Sequence, residues 1–179
     1  MAKRKILTDN DPTLRTVCRP IPRITPRIET LLDDMIETMR DANGVGLAAP
    51  QVGVLLRVVV IETEPGEVYE LINPEIIETS GEQEGSEGCL SLPGRSGHVK
   101  RPNYVKAKAL NRKGEEYILE GTELLARAIC HELDHLDGRL YIDVADYMYA
   151  PEDEEEERVS PRLRKYARRR DRYIKVASC

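Results

Sequence analysis

"HELDH", residues 131–135, sets two of the chain's three histidines four residues apart, with a glutamate directly after the first. It lies within "TELLARAICHELDHLDG" (122–138), which reads as one helix running from an N-cap at Thr122 to a stop at Gly138. At about 100° per residue with Leu124 at zero, Ala128 falls near 40°, His131 near 340° and His135 near 20°. Both imidazoles therefore share the stripe expected to be buried, while Arg127, Asp134 and Asp137 point well away from it. Two histidines one turn apart with a glutamate between them fit metal chelation better than ordinary packing. Glu132, near 80° on the wheel, stands beside the pair, where a general base could take a proton from water held at the metal.

Two histidines leave the site incomplete. A purely structural site wants four protein ligands, usually including a second closely spaced pair, and no such pair is present. His98 is isolated in a strand-like stretch, Cys130 falls near 240° on the same helix, and Cys18 and Cys179 lie in the end segments. Cys89 is different: "EGCLSLPG" (87–94) sets it in a tight, irregular backbone where a thiolate and nearby N–H groups can face one ligand. With His131 and His135 it leaves a fourth position open, which is a catalytic arrangement. Upstream, the small residues of "GVGLAAPQVG" (44–53) permit close backbone approach, and the Gln51 amide can donate to a carbonyl oxygen without being ionised.

These three stretches, in this order, resemble the signatures of peptide deformylases. The family's G-x-G-x-A-A-x-Q, E-G-C-x-S and H-E-x-D-H patterns appear as "GVGLAAPQ" (44–51), "EGCLS" (87–91) and "HELDH" (131–135). "DPTLRTVCRPI" (11–21) also resembles the family's amino-terminal segment, so the likeness runs from about residue 5 to about 147. It implies a hydrolase that removes the formyl group from the N-terminal formylmethionine of newly made polypeptides and releases formate. Cys89, His131 and His135 would hold one divalent metal, ferrous iron in the typical member with zinc as a less active substitute. Glu132 would be the acid/base, and Gln51 with the Leu90 N–H would stabilise the oxyanion. Val45 and Gly46 would bind the peptide in a strand-like way, Leu124 and Ala128 are candidate walls of the methionine pocket, and Arg101 is the expected partner that braces Glu87 and so the Cys89 loop.

Outside the motifs, "ITPRIETLLDDMIETMRDANG" (24–44) reads as an amphipathic helix with Thr25-Pro26 at its start and Asn43-Gly44 at its end. "LLRVVVIE" and "YELINPEIIE" read as strands, and "YVKAKALNRKGEEYILEG" as a hairpin turning at "NRKG". The expected class is α+β, one domain over residues 1–150, with antiparallel or mixed strands packed around a central metal-binding helix. With no Phe or Trp, its core must be aliphatic. The scattered cysteines point to a reducing cytoplasm, and no stretch nears the roughly 20 apolar residues that cross a bilayer.

A net charge of −5 argues against a body that binds DNA over its whole surface. Beyond Val144 a loop is expected, then a charged tail over 151–179. There "EDEEEE" (152–157) precedes a stretch with nine Arg or Lys against one Asp between Arg158 and Lys175, with a helix expected from near Ser160-Pro161. Two readings of the tail stand open: contact with ribosomal RNA phosphates, or a solvated tail held back on the acidic run. Among competing functions, a zinc metallopeptidase usually draws its third ligand from downstream, whereas Cys89 lies upstream. A non-enzymatic metal-braced scaffold leaves Gln51, Glu132 and the open position without purpose.

Overall fold

The computed structural model describes residues 2–8, 10–149 and 174–175. In chain order it contains α1 (Pro26–Asp41), β1 (Gly46–Ala48), β2 (Val58–Ile61), β3 (Tyr69–Ser80), β4 (Gln83–Cys89), β5 (Leu92–Arg101), β6 (Tyr104–Leu110), β7 (Glu116–Thr122), α2 (Glu123–Leu136), β8 (Ala145–Met148) and β9 (Ile174–Lys175). The strands pair antiparallel in two sheets, ordered β1-β2-β3-β6-β7 and β4-β5-β8-β9. The expected α+β class is the one observed.

The run Val58–Ile61 is apolar at every position because both faces of its sheet are covered. Val58 and Val60 join Leu32, Met35 and Met39 of α1 on one face, while Val59 and Ile61 join Ala126, Ile129 and Leu133 of α2 on the other. The β6–β7 hairpin shows period-two patterning: Val105, Ala107 and Ala109 are buried toward α2, and the outward Lys106 and Lys108 pair with Glu120 and Glu75. At its tip the Asn111 carboxamide oxygen accepts from the N–H groups of Lys113 and Glu115, closing the turn with a side chain.

α2 threads between the two sheets and is buried almost all round, at Ala126, Ala128–Leu133, His135 and Leu136. The wheel therefore misplaces two things. Leu124, set at the centre of the buried stripe, is 50% exposed, whereas the next two residues, Leu125 and Ala126, are the ones that pack on the core. Arg127 and Asp134, placed away from the stripe, face the β4–β5 hairpin, where both are bonded. The Thr25 and Thr122 side chains make no capping hydrogen bond, although both stand at N-caps. Past Val144 the expected loop is β8, which pairs with β5 and places Ala145 and Met148 against the cluster of Leu92, Val99 and Tyr141. The tail's acidic run and expected helix lie outside the described residues.

Candidate metal centre

Two elements converge on one point. Cys89 ends β4 at a two-residue turn into β5, where it faces Leu92 in the register. His131 and His135 project from successive turns of α2, and the ligand atoms of all three lie within 4.8 Å of one another. The His135 Nε2 is 3.3 Å from the Cys89 Sγ. The Nδ1 of His131 is 3.1 Å from Glu87 Oε2, which leaves its Nε2 free to face the thiol. His131 is 9% exposed and His135 1%, so both imidazoles are taken out of water by the fold.

Burial opposes a charge on His131, but its contacts with Cys89 and Glu87 outweigh this and raise it to about 10. Burial, then the charge on His131, pushes His135 well below its ordinary value. Of the two imidazoles, His131 thus favours the charged form and His135 the neutral one. A thiolate with two neutral imidazoles is a donor set that zinc and ferrous iron accept, so these residues fit a metal ion.

Glu132 faces the same space. Its carboxylate lies against β1: a Cβ on Gly46 would sit 2.4 Å from Oε1 and 2.8 Å from Cδ, so only glycine admits the carboxylate here. Oε2 is buried with no hydrogen-bond partner among the described residues. Burial pushes the carboxyl up to about 7, with His131 opposing and Glu87 adding to the shift. An unpartnered buried carboxylate whose pKa lies near neutrality is suited to proton transfer.

Gln51, held in a 3-10 turn directly after β1, is 1% exposed. Its Oε1 accepts from the Ala48 N–H at 2.8 Å, which fixes the amide so that Nε2 points to Ser91 Oγ (3.2 Å) and Cys89 Sγ (3.5 Å). Leu90 packs partly buried against the α1 cluster, so the turn that carries its N–H is anchored.

A family model described as polypeptide deformylase matches residues 3–150. The chain belongs to this family. A peptide deformylase of Agathobacter rectalis is 61% identical over 143 residues, which cover 80% of this chain and 90% of the relative. One of Lachnoclostridium phytofermentans is 56% identical over 162 residues, covering 88% and 99%. Among solved structures, a peptide deformylase from Legionella pneumophila is 41% identical with a TM-score of 0.78, covering 93% of this chain and 96% of that one.

In this deformylase-family chain the residues singled out from sequence do come together. Cys89, His131, His135, Glu132 and Gln51 line one space, Gly46 of β1 borders it against Glu132, and Val45 directly precedes β1 and is exposed. Glu87 and Arg101 form a bidentate pair at 3.0 and 3.1 Å. Burial pushes Glu87 up, but its bonds from His131 and Arg101 prevail and hold it at about 2. Ala128 is buried toward the first sheet, and Leu124 is half exposed.

Four residues are given no role by the sequence alone. Ser91 is fully buried and holds the Gln51 amide. Tyr141 stacks on the His131 ring at 6.1 Å between centroids. Arg127 donates to Glu87 at 2.8 Å, and Asp134 accepts from Arg101 at 2.6 Å. An arginine one turn before His131, on a helix otherwise apolar there, was the available signal for Arg127.

Proposed function

We propose that this chain is a metal-dependent hydrolase that removes the N-formyl group from the formylmethionine of newly synthesised polypeptides and releases formate. The observation that carries the reading is the convergence of Cys89, His131 and His135 beside a buried, unpartnered Glu132, within a chain that belongs to the deformylase family. Cys89, His131 and His135 would hold one divalent ion, which when bound supplies Lewis acidity and makes water a nucleophile near neutral pH. Ferrous iron is the expected ion, with zinc a substitute the same donors accept.

Glu132 takes the proton of the attacking water and returns it to the departing amine, so the carboxylate ends the cycle as it began. Gln51 Nε2 and the Leu90 N–H donate to the oxygen that gains charge as the formyl carbon becomes tetrahedral. β1 stands at the edge of its sheet, so one side of Val45–Ala48 has no strand partner among the described residues and can accept an extended peptide. Ala128 and Leu124 then border the methionine side chain.

Residues 1–150 are the catalytic domain on this reading and 151–179 a charged tail, with ribosome contact through its basic part. No helix among the described residues is long and apolar enough to cross a membrane, and a nascent-chain substrate places the enzyme in the cytoplasm. Replacing Glu132 with Gln removes the proton carrier while keeping the shape. Formate release should fall about 10²–10⁴-fold with metal content unchanged; a wild-type rate would refute the role given to Glu132.

A further inference from the structure

We propose that Arg127 is a positioning residue of the metal centre: it ties the Cys89 hairpin to the histidine helix by fixing Glu87. The inference rests on Cys89, His131 and His135 being the metal ligands. Those ligands come from two elements far apart in sequence. β4 carries Glu87 and, two residues on, Cys89; α2 carries Arg127 and, one turn on, His131. A metal site assembled this way is only as good as the spacing between its two supports, so side chains that cross between them near the ligands set how well it is formed before the ion arrives.

Arg127 makes such a crossing. Its Nη1 donates to Glu87 Oε1 at 2.8 Å and to the Val99 carbonyl of β5 at 3.2 Å. Its guanidinium also rests on β4, with Nη2 at 3.5 Å from where a Cβ would stand on Gly85. The side chains of Arg127 and Glu87 are 11% and 3% exposed, so the bond is shielded from water and salt.

The bonding at Glu87 gives Arg127 a specific part. Oε1 accepts from Arg101 Nε and Arg127 Nη1, and Oε2 accepts from Arg101 Nη2 and faces His131 Nδ1. A carboxylate has about four acceptor positions, and here all are taken. With Arg127 and Arg101 filling Oε1, the carboxylate cannot rotate and Oε2 stays on His131. Its Nδ1 is then held on Glu87 and its Nε2 is turned toward Cys89. Arg101 alone holds Glu87 chiefly from within the hairpin; Arg127 holds it from the same helix as the ligand it orients. Partners that orient metal-ligating histidines in this way are worth about 10–100-fold in metal affinity.

The experiment measures cobalt(II) affinity by competition with a chelator, using full-length wild type, Arg127→Met and Arg127→Lys, alongside thermal melting of each metal-free protein. Cobalt also reports geometry, since its absorption responds to thiolate ligation and coordination number. Arg127→Met should bind cobalt about 10–100-fold more weakly with an altered spectrum, and Arg127→Lys, which keeps the charge and one donor, should recover part of the affinity. Arg127→Met that melts earlier but binds cobalt like wild type would overturn the proposal and leave Arg127 a purely structural ion-pair partner. Should Arg127→Met not fold, Arg127→Gln takes its place with the same two outcomes. Wild type that fails to take up one cobalt per chain would refute the ligand set itself, a failure distinct from that of Arg127.

Discussion

Gly46→Ala separates the fold from the chemistry. The new methyl would stand 2.4 Å from Glu132 Oε1, 2.8 Å from Cδ and 2.9 Å from Cγ. Ordinary contact begins near 3.5 Å, so the carboxylate must retreat by about 1 Å. What it meets is the end of a side chain with rotatable bonds, not backbone, so the protein can yield at Glu132 itself. The stability cost should therefore lie at the low end for overpacking, about 1 kcal/mol, partly offset by the lower unfolded-state entropy of alanine. The chemical cost should be larger: displacement of a catalytic group by about 1 Å lowers rates by around 10²-fold, or about 2.7 kcal/mol of barrier. The assay is kcat for formate release, with metal content and melting temperature measured on the same preparation. A Gly46→Ala enzyme within about threefold of the wild-type kcat would show that Glu132 does not act from the position it occupies against β1. Loss of metal in step with activity would equally refute the separation.

Three further outcomes are expected. Glu87→Ala leaves Arg101 and Arg127 without their shared carboxylate in a nearly dry setting and should destabilise the protein by about 3–5 kcal/mol in urea unfolding; a loss below about 1 kcal/mol would contradict the burial. Glu62 is held at about 2 by its hydrogen bond from Arg40 and by the Gly66 N–H. Its folded-state value is depressed, so its contribution is present at neutral pH and is lost as pH falls from about 4.5 toward 2. Glu62→Gln should thus be less stable than wild type at pH 7 and converge with it near pH 2; a gap independent of pH would refute this. Burial pushes the thiols of Cys18 and Cys130 up to about 11, so at pH 8 only about one in a thousand is ionised. Mass mapping after brief iodoacetamide treatment of the native protein should find both unmodified, and prompt labelling of either would contradict it.

The motif residues and the hairpin were legible because each depends on local pattern: two histidines at one helical turn, alternating Val105-Lys106-Ala107-Lys108, a continuous apolar run at Val58–Ile61. What was not legible depends on the second sheet. A helical wheel assumes one buried side and one wet side, and α2 has no wet side over most of its length. The wheel turns Arg127 and Asp134 away from the buried stripe, yet their side of the helix faces β4 and β5. Leu124, at the centre of the apolar stripe on the wheel, is half exposed, while its neighbours Leu125 and Ala126 meet the core. The same omission hid β8: "ADYM" has little strand pattern of its own, and its pairing with β5 is decided by tertiary contact of Ala145 and Met148 with the cluster around Tyr141. Ser91 stands in the E-G-C-x-S pattern, but the pattern assigns it no partner; the fixed Gln51 amide gives it a role.

The most direct test of the proposed activity is formate release from a formyl-Met tripeptide by full-length protein purified without oxygen and loaded with ferrous iron, against the same peptide unformylated. The account predicts rapid formate release from the formylated peptide alone, with every peptide bond intact. No formate from folded, metal-loaded protein, or cleavage of the peptide chain, would contradict it.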